Sequence, residues 1–384
     1  MVVAAKSAKK LKFSERDLSR WKLVDEFRER LQAAAEHRSP SKSERDPRRK
    51  LLQNDYFSLV LFALLNPVVE TMRGICAASH FGRLQEEVCR QAVSLGSFSE
   101  AQGVVDPGLL EEVFLELSQK TNARWGDPRL APLADRLIAV DGTLLRALPR
   151  MHWALWQDEN NRAGKLHLKF NILRQVPMEA VITAAKTCER AVLRKHLKKG
   201  EFYVADRYYG LDYGFFAEVR RAGASFVFRI CNDARVEVEK ELALSEADRA
   251  AGVIWDGWVK LGVHWQGEPV RLVKVQVDGH LLWLVTDQPE TMAAELVALI
   301  YKSRWQIELF FKWIKCILGC RHWLAESLPG MVVIIYCALI ASLLLMLFTG
   351  SKPNQRAMEA IRFYLLGYAT LEELCERVGI EKNH

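Results

Sequence analysis

Between Met331 and Gly350 the chain reads MVVIIYCALIASLLLMLFTG, a run without one charged side chain. A helix of that length rises about 30 Å, the thickness of a bilayer's hydrocarbon core. It equally suits the interior of a large domain, where a helix touched on every side needs no polar face. A membrane span asks for flanking basic clusters and usually for companions. The sequence has no second stretch of this kind and no clear basic cluster beside this one. A buried helix asks only for enough apolar chain to wrap it. With 384 residues, 50% of them hydrophobic, that chain is available. A central core helix is one reading, and a membrane span stays open as the other.

Residues 1 to about 130 read as helical. The first fifty are highly charged, as in KSERDPRRK, and are expected to form a solvated or DNA-tracking arm. DYFSLVLFALLNPVVETMRGI looks like a buried helix broken near Pro67. SFSE at 97–100 matches a capping box, Ser97 with Glu100, and Asp106-Pro107 reads as another helix start. Short helices with tight turns suit either a helix-turn-helix or plain helical packing. The net charge of +7 is compatible with nucleic acid without being specific for it. The eight cysteines show no paired spacing, so a reducing cytoplasm is the default. The polar, Lys-rich start lacks the apolar centre of a signal peptide.

From residue 137 the period changes. LIAVD is a short apolar run ending on Asp141, and KLHLKFNIL and EAVITAA read as two further strands. CERAVLRKHL is a helix, FYVAD a strand ending on Asp206, DYGFFAEVRRAG a helix and SFVFRI a strand. This α/β succession carries an acid at two strand ends, and open α/β sheets place ligands beyond strand ends. Residues 231–286 read as a β-rich insertion containing Trp255, Trp258 and Trp265, with Asp278-Gly279 as its hairpin turn.

The run Met292–Leu318 has no Pro or Gly and is expected as one helix. At about 100° per residue, Tyr301, Arg304, Glu308, Lys312 and Lys315 of YKSRWQIELFFKWIK share an arc of roughly 80°. One reading is a solvated face with Arg304–Glu308 as an i,i+4 pair. The other is a metal-holding carboxylate with phosphate-binding donors above and below it. Asp141, Asp206 and Glu308 would repel one another unless cations neutralise them. Mg²⁺ suits such a set, because it takes oxygen ligands and binds through a few carboxylates plus substrate phosphate. Taken singly, a strand-ending Asp is just as readily a turn former.

The spacing Tyr301-x2-Arg304-x3-Glu308-x6-Lys315 resembles the signature of the DDE transposases of bacterial insertion sequences, specifically the insertion-sequence-four family. AVDGTLLRALPRMHWALW and FYVADRYYGLDYGFF resemble that family's two Asp blocks, and LVTDQ the strand before the signature. DYFSLVLFALLNPVVETMRGI and LGSFSEA are similar too, so the resemblance runs from about 50 to 350. It implies an RNase H-like catalytic core with a β-rich insertion, and cut-and-paste movement of a mobile DNA element, commonly through hairpin ends. Asp141, Asp206 and Glu308 would be the catalytic triad holding two Mg²⁺ ions, with Mn²⁺ able to substitute. Tyr301, Arg304 and Lys315 would hold DNA phosphates at the cleaved end. The implied partners are double-stranded DNA, as terminal inverted repeats and target, and a second copy of the chain on that DNA. The implied place is the bacterial cytoplasm, at the nucleoid. The apolar run 331–350 resembles a helix these enzymes bury against the core, so the resemblance implies no membrane span.

The expected domains are a helical DNA-binding region (1–130), the first part of the core (131–230) and the insertion (231–286). Core helices bearing the third acid (287–350) and a helical tail (351–384) follow. Trp283 lies near where the family places an aromatic that receives a flipped base, though a strand core residue reads the same way. Arg207, Tyr208 and Asp212 follow the second acid and suit phosphate positioning or a helix cap. Lys165 and His167 read as surface strand residues, with approach to DNA the alternative. Cys316, Cys320 and His322 have loosely metal-like spacing without a fourth ligand. Competing functions are an RNase H-like nuclease that does not join, a catalytically dead DNA-binding protein, and a membrane-anchored protein suggested only by 331–350.

Overall fold

The computed structural model describes residues 22–39, 45–46, 49–121, 126–147, 151–154, 162–262, 267–319, 324–350, 352 and 355–378. They fall into two units. One takes the described parts of 1–123, 145–164 and 310–384, the other those of 124–144 and 165–309.

The first unit is helical, and its central element is the helix Leu328–Thr349. The Ser327 side chain caps its start by accepting from the Gly330 amide. Gly350 ends it in the left-handed region at φ 59°, a conformation that favours glycine. Val333, Ile335, Cys337, Leu339, Ile340, Leu343 and Leu344 have no exposed surface. Helices Lys22–Glu36, Gln53–Leu65 and Gly108–Lys120 pack on it, which explains a helix without a polar face. Its buried Ser342 hydroxyl accepts the indole N–H of Trp313 at 2.9 Å. Gln53–Leu65 ends at Asn66, whose side-chain oxygen accepts the Val68 and Val69 amides and turns the chain at Pro67.

Two expectations for this region are corrected. Residues 22–36 are not a solvated arm, because Val24, Phe27 and Leu31 are fully buried. The helix holding SFSE starts earlier, at Leu95, with Ser94 as its cap: the Ser94 hydroxyl accepts the Ser97 amide at 3.1 Å. Ser97 is thus inside the first turn, and the serine three residues upstream wins because it holds the extended cap conformation.

The second unit is a nine-stranded sheet. Its strands are β1 (Leu137–Arg146), β2 (Ala163–Asn171), β3 (Val176–Ala184), β4 (Phe202–Ala205), β5 (Ser225–Ile230), β6 (Val236–Glu241), β7 (Val253–Leu261), β8 (Val270–Val277) and β9 (His280–Thr286). Their order is β3-β2-β1-β4-β5-β9-β8-β7-β6. β1, β4 and β5 run parallel, and helices Glu189–Lys195 and Tyr213–Arg221 make the crossovers that parallel strands require. The five strands β3-β2-β1-β4-β5 form a mixed α/β core of the RNase H-like kind. Phe215, Phe216, Phe226 and Phe228 pack ring against ring beneath it.

Residues 231–286 extend this sheet rather than forming a separate layer, because β9 pairs antiparallel with β5. Asp278 and Gly279 take φ 48° and 79° between the paired Val277 and His280, the two-residue turn their sequence favours. β6 and the short helix Glu246–Ala250, capped reciprocally by Ser245 and Asp248, were not anticipated. Trp255 and Trp258 lie on β7, and Trp265 is outside the described residues. Arg271 is fully buried, forked onto Asp256 at 2.9 and 2.6 Å, and it donates to the carbonyls of Pro289 and Met292. Removing one partner of a buried pair strands the other charge, so Asp256→Ala should cost about 3–5 kcal/mol. Urea denaturation would measure that loss, and Arg271→Met with Asp256→Ala together should recover much of it.

The expected single helix over 292–318 is in fact two, Ala294–Ser303 and Gln306–Leu318. Nothing in composition marks the break, since neither Gly nor Pro is present. Ser303 folds its hydroxyl back onto the Leu299 carbonyl at 2.8 Å. Arg304 and Ile307 then close three-residue turns, their amides bonded to the carbonyls of Tyr301 and Arg304 at 3.1 Å each.

Candidate active site

β1 and β4 pair from Leu137 with Phe202 to Ala139 with Val204. Asp141 and Asp206 each lie two residues beyond that last pair, so the register carries them to the same level at the ends of parallel strands whose axes are typically about 4.8 Å apart. Asp206 directly follows β4, as expected. Asp141 does not end its strand: β1 continues to Arg146, and it is β4 that stops short. The Asp141 side chain accepts the Gly142 amide at 2.7 Å, and Asp206 accepts the Tyr208 amide at 2.9 Å.

Glu308 enters from the first turn of Gln306–Leu318. The Arg304 guanidinium connects it to the strands: its Nη1 is 2.7 Å from Glu308 Oε1 and 4.0 Å from Asp141 Oδ2. The same guanidinium lies over the Tyr301 ring, 5.6 Å from its centre. The first reading of the signature, an ion pair along the helix, is thus seen directly. The i,i+4 pair is present, and it also faces Asp141. Burial works against the charge on Arg304, but Glu308, Tyr301, Asp141 and Asp206 outweigh it and hold its pKa above the ordinary value. Glu308 Oε2 is buried with no hydrogen-bond partner.

Asp141 is pushed up to about 7, chiefly by burial, with the charges of Asp206 and Glu189 adding to it against the Gly142 amide and Arg304. Its ordinary value is 3.8. The folded chain therefore holds this proton more tightly than the unfolded chain, and stability falls as pH rises from about 4 to 7. Asparagine has no such penalty. In buffer free of divalent cations, Asp141→Asn should unfold at a higher temperature than wild type at pH 8, and the difference should vanish near pH 4. A set of thermal melts across pH checks this.

The donor set fits a hard cation: neighbouring carboxylates that burden one another and a third carboxylate oxygen left without a partner. As they stand, no three His, Cys, Asp or Glu side chains among the described residues converge tightly enough to share one ion.

The other predicted residues are more dispersed. Lys315 follows two turns further along the Glu308 helix, in the part that belongs to the first unit. Arg207 is exposed beside Asp206. Tyr208 donates to the Cys188 sulfur at 3.3 Å, under the Arg190 guanidinium. Asp212 is at the start of Tyr213–Arg221 but caps nothing, and it pairs with Arg194 at 2.6 Å. Trp283 on β9 lies under the Lys274 ammonium, 4.3 Å from its ring, and its buried indole N–H has no partner.

Lys165 and His167 are not surface residues. Lys165 pairs with Glu189 at 3.2 Å, and His167 is buried with its Nε2 on the Thr183 hydroxyl at 2.8 Å. Cys316 is half-buried, while Cys320 and His322 fall outside the described residues. Sequence reasoning did not single out Glu189, although its charge acts on Asp141. An acid in a helix's first turn is commonplace, so nothing marked it out.

The sequence matches the family described as Transposase DDE domain over residues 132–344. Among curated proteins it is 29% identical over 236 residues to "Putative transposase y4zB" of Sinorhizobium fredii, covering 59% of this chain and 65% of that protein. The chain thus spans just under two thirds of that relative. It is 24% identical over 307 residues to "Putative transposase for insertion sequence element IS4SA" of Synechocystis, covering 75% of this chain and 80% of that one. Among solved structures, a piggyBac transposase synaptic complex with hairpin DNA matches at 10% identity and a TM-score of 0.42, over 98% of this chain and 88% of that one. With more than half of its 384 residues matched, the chain belongs to the Transposase DDE domain family.

Proposed function

We propose that this chain is a metal-dependent DNA transposase that cleaves and joins insertion-sequence ends, with Asp141, Asp206 and Glu308 as its catalytic carboxylates. The observation that carries this reading is the Arg304 bridge. One guanidinium faces acids from β1 and from a helix more than 160 residues later in the chain, in the signature spacing. Two Mg²⁺ ions, or Mn²⁺ in their place, would be held by the three acids and would activate the attacking oxygen while stabilising the leaving one. Arg304 keeps Glu308 aligned through its Oε1 and leaves Oε2 free as a donor. Tyr301 packs against Arg304 and fixes its direction.

In the first reaction, water attacks the phosphorus at the element's end, the bond to the 3′ oxygen breaks, and a 3′-OH is released. In the second, that hydroxyl attacks a phosphorus of the opposite strand, whose bond to the flanking 3′ oxygen breaks to leave a hairpin end and a flanking 3′-OH, or it attacks a phosphorus of target DNA and releases a target 3′-OH. Terminal inverted repeats bracketing the reading frame would be the substrate, with two copies of the chain joining two ends.

Tyr301, Arg304, Lys315 and the exposed Arg207 would position phosphates, with Trp283 a candidate for an unstacked base. Arg304→Ala and Lys315→Ala should each weaken assembly on pre-cleaved ends by about 1–3 kcal/mol and lower the salt slope by roughly one. Lys312, on the same helix but outside the signature, is the comparison. Gel-shift titrations at several salt concentrations test this, and an equal loss from Lys312→Ala would reduce the signature to a merely basic face.

A further inference from the structure

A small cavity beside Asp141 is lined by His167, Lys169, Glu179, Glu189 and His196. His167 is only 6% exposed, and its Nδ1 has no partner. Glu189 is the acid in this wall nearest the proposed triad. A Cβ on Gly142 would lie 2.8 Å from both Cδ and Oε1 of Glu189, so this carboxyl rests against the backbone next to Asp141. Its Oε1 is held by Lys165 Nζ at 3.2 Å, and that ammonium also reaches the Thr187 carbonyl at 3.3 Å. Glu189 and Lys165 are both largely buried, at 16% and 15% exposure.

Placing another carboxylate beside Asp141 is unfavourable in itself, because like charges there repel. An amide or apolar side chain would fill the same space without that cost. The arrangement mirrors the other flank of Asp141, where Arg304 holds Glu308. On each side a basic side chain neutralises an outer acid.

Resting on the function proposed above, we propose that Glu189 is a fourth carboxylate of the Asp141–Asp206–Glu308 site, held by Lys165 and available as an oxygen donor to a divalent cation once Lys165 releases it. Lys165 then competes with the cation for Glu189.

The test is titration of the full chain with Mn²⁺, free ion being followed by electron paramagnetic resonance without DNA. Glu189→Gln should weaken Mn²⁺ binding by about tenfold or more. Lys165→Met, which keeps the length and removes the competitor, should leave binding unchanged or tighten it. Glu189→Asp should recover part of the loss. Circular dichroism melts follow folding in parallel. If Glu189 serves only to pair with Lys165, Glu189→Gln and Lys165→Met will shift Mn²⁺ affinity together, which overturns the proposal. Unchanged affinity in Glu189→Gln overturns it too, while Asp141→Asn still loses Mn²⁺ and the triad stands. If Asp141→Asn binds Mn²⁺ as wild type does, the metal site itself is wrong, and Glu189's role falls with it.

Discussion

Glu308→Gln protein is expected to bind DNA ends normally and to fail to cut them. Glutamine keeps the shape of the side chain and can still meet Arg304, so the helix start at Gln306 should survive. What it removes is the negative charge on an oxygen that is buried and unpartnered. Charge stabilisation of a phosphoryl transition state through a metal is worth several kcal/mol. A loss of about 4 kcal/mol corresponds to a rate roughly a thousandfold lower. Asp141→Asn and Asp206→Asn should be equally damaging, because the two acids stand level on adjacent strands and neither can substitute for the other. Cleavage of end-labelled DNA under single-turnover conditions, beside a gel shift, separates the two effects. Full cleavage by Glu308→Gln would remove Glu308 from the site.

The second large effect concerns the N-terminal region. Deleting residues 1–130 should leave the protein unfolded or aggregated rather than folded and unspecific. Three helices that cover Leu328–Thr349 lie in that stretch, with Phe27, Leu31, Phe57, Leu59, Val60, Leu61, Leu110, Phe114 and Leu117 essentially fully buried. Each such side chain contributes about 1.5–3 kcal/mol by burial, and a domain's net stability is only about 5–15 kcal/mol. The helix left behind would expose a window of mean hydropathy 2.7, of which 89% is buried in the intact unit. Any role of the N-terminal helices in recognising DNA ends therefore has to be tested by surface substitutions such as Arg73→Ala and Arg83→Ala. Size-exclusion chromatography and far-UV circular dichroism of the truncated chain check the expectation, and a monodisperse, cooperatively melting fragment would contradict it.

How much of this was legible in the sequence depends on which force decides each element. The apolar runs before Asp141 and Asp206 are buried parallel strands, and hydrophobic patterning alone reveals them. The alternation in KLHLKFN is also visible, but it misleads. It puts Lys165, His167, Lys169 and Asn171 on one face, which reads as solvated. That face is covered instead: Lys169 is enclosed by Glu179 and Glu201, and Asn171 donates to the Ala134 carbonyl. A polar face satisfied by distant partners looks like a wet one until those partners are known. The break at Arg304 was equally hidden, because it follows from a serine hydroxyl and a three-residue turn, without a residue that disfavours helix. Glu189 escaped because its closeness to Asp141 depends on Gly142 and on the packing of a crossover helix.

The central claim, a carboxylate site that works on DNA through divalent cations, is tested most directly by exchanging the cation. Linear DNA carrying the sequences that flank this reading frame would be incubated with the full chain and with Mg²⁺, Mn²⁺, Ca²⁺ or chelator, and both binding and strand breaks followed. Breaks are predicted at the element's ends with Mg²⁺ and Mn²⁺, and bound but intact DNA with Ca²⁺. Cleavage that persists undiminished in chelator would contradict the assignment of Asp141, Asp206 and Glu308 as metal-holding residues.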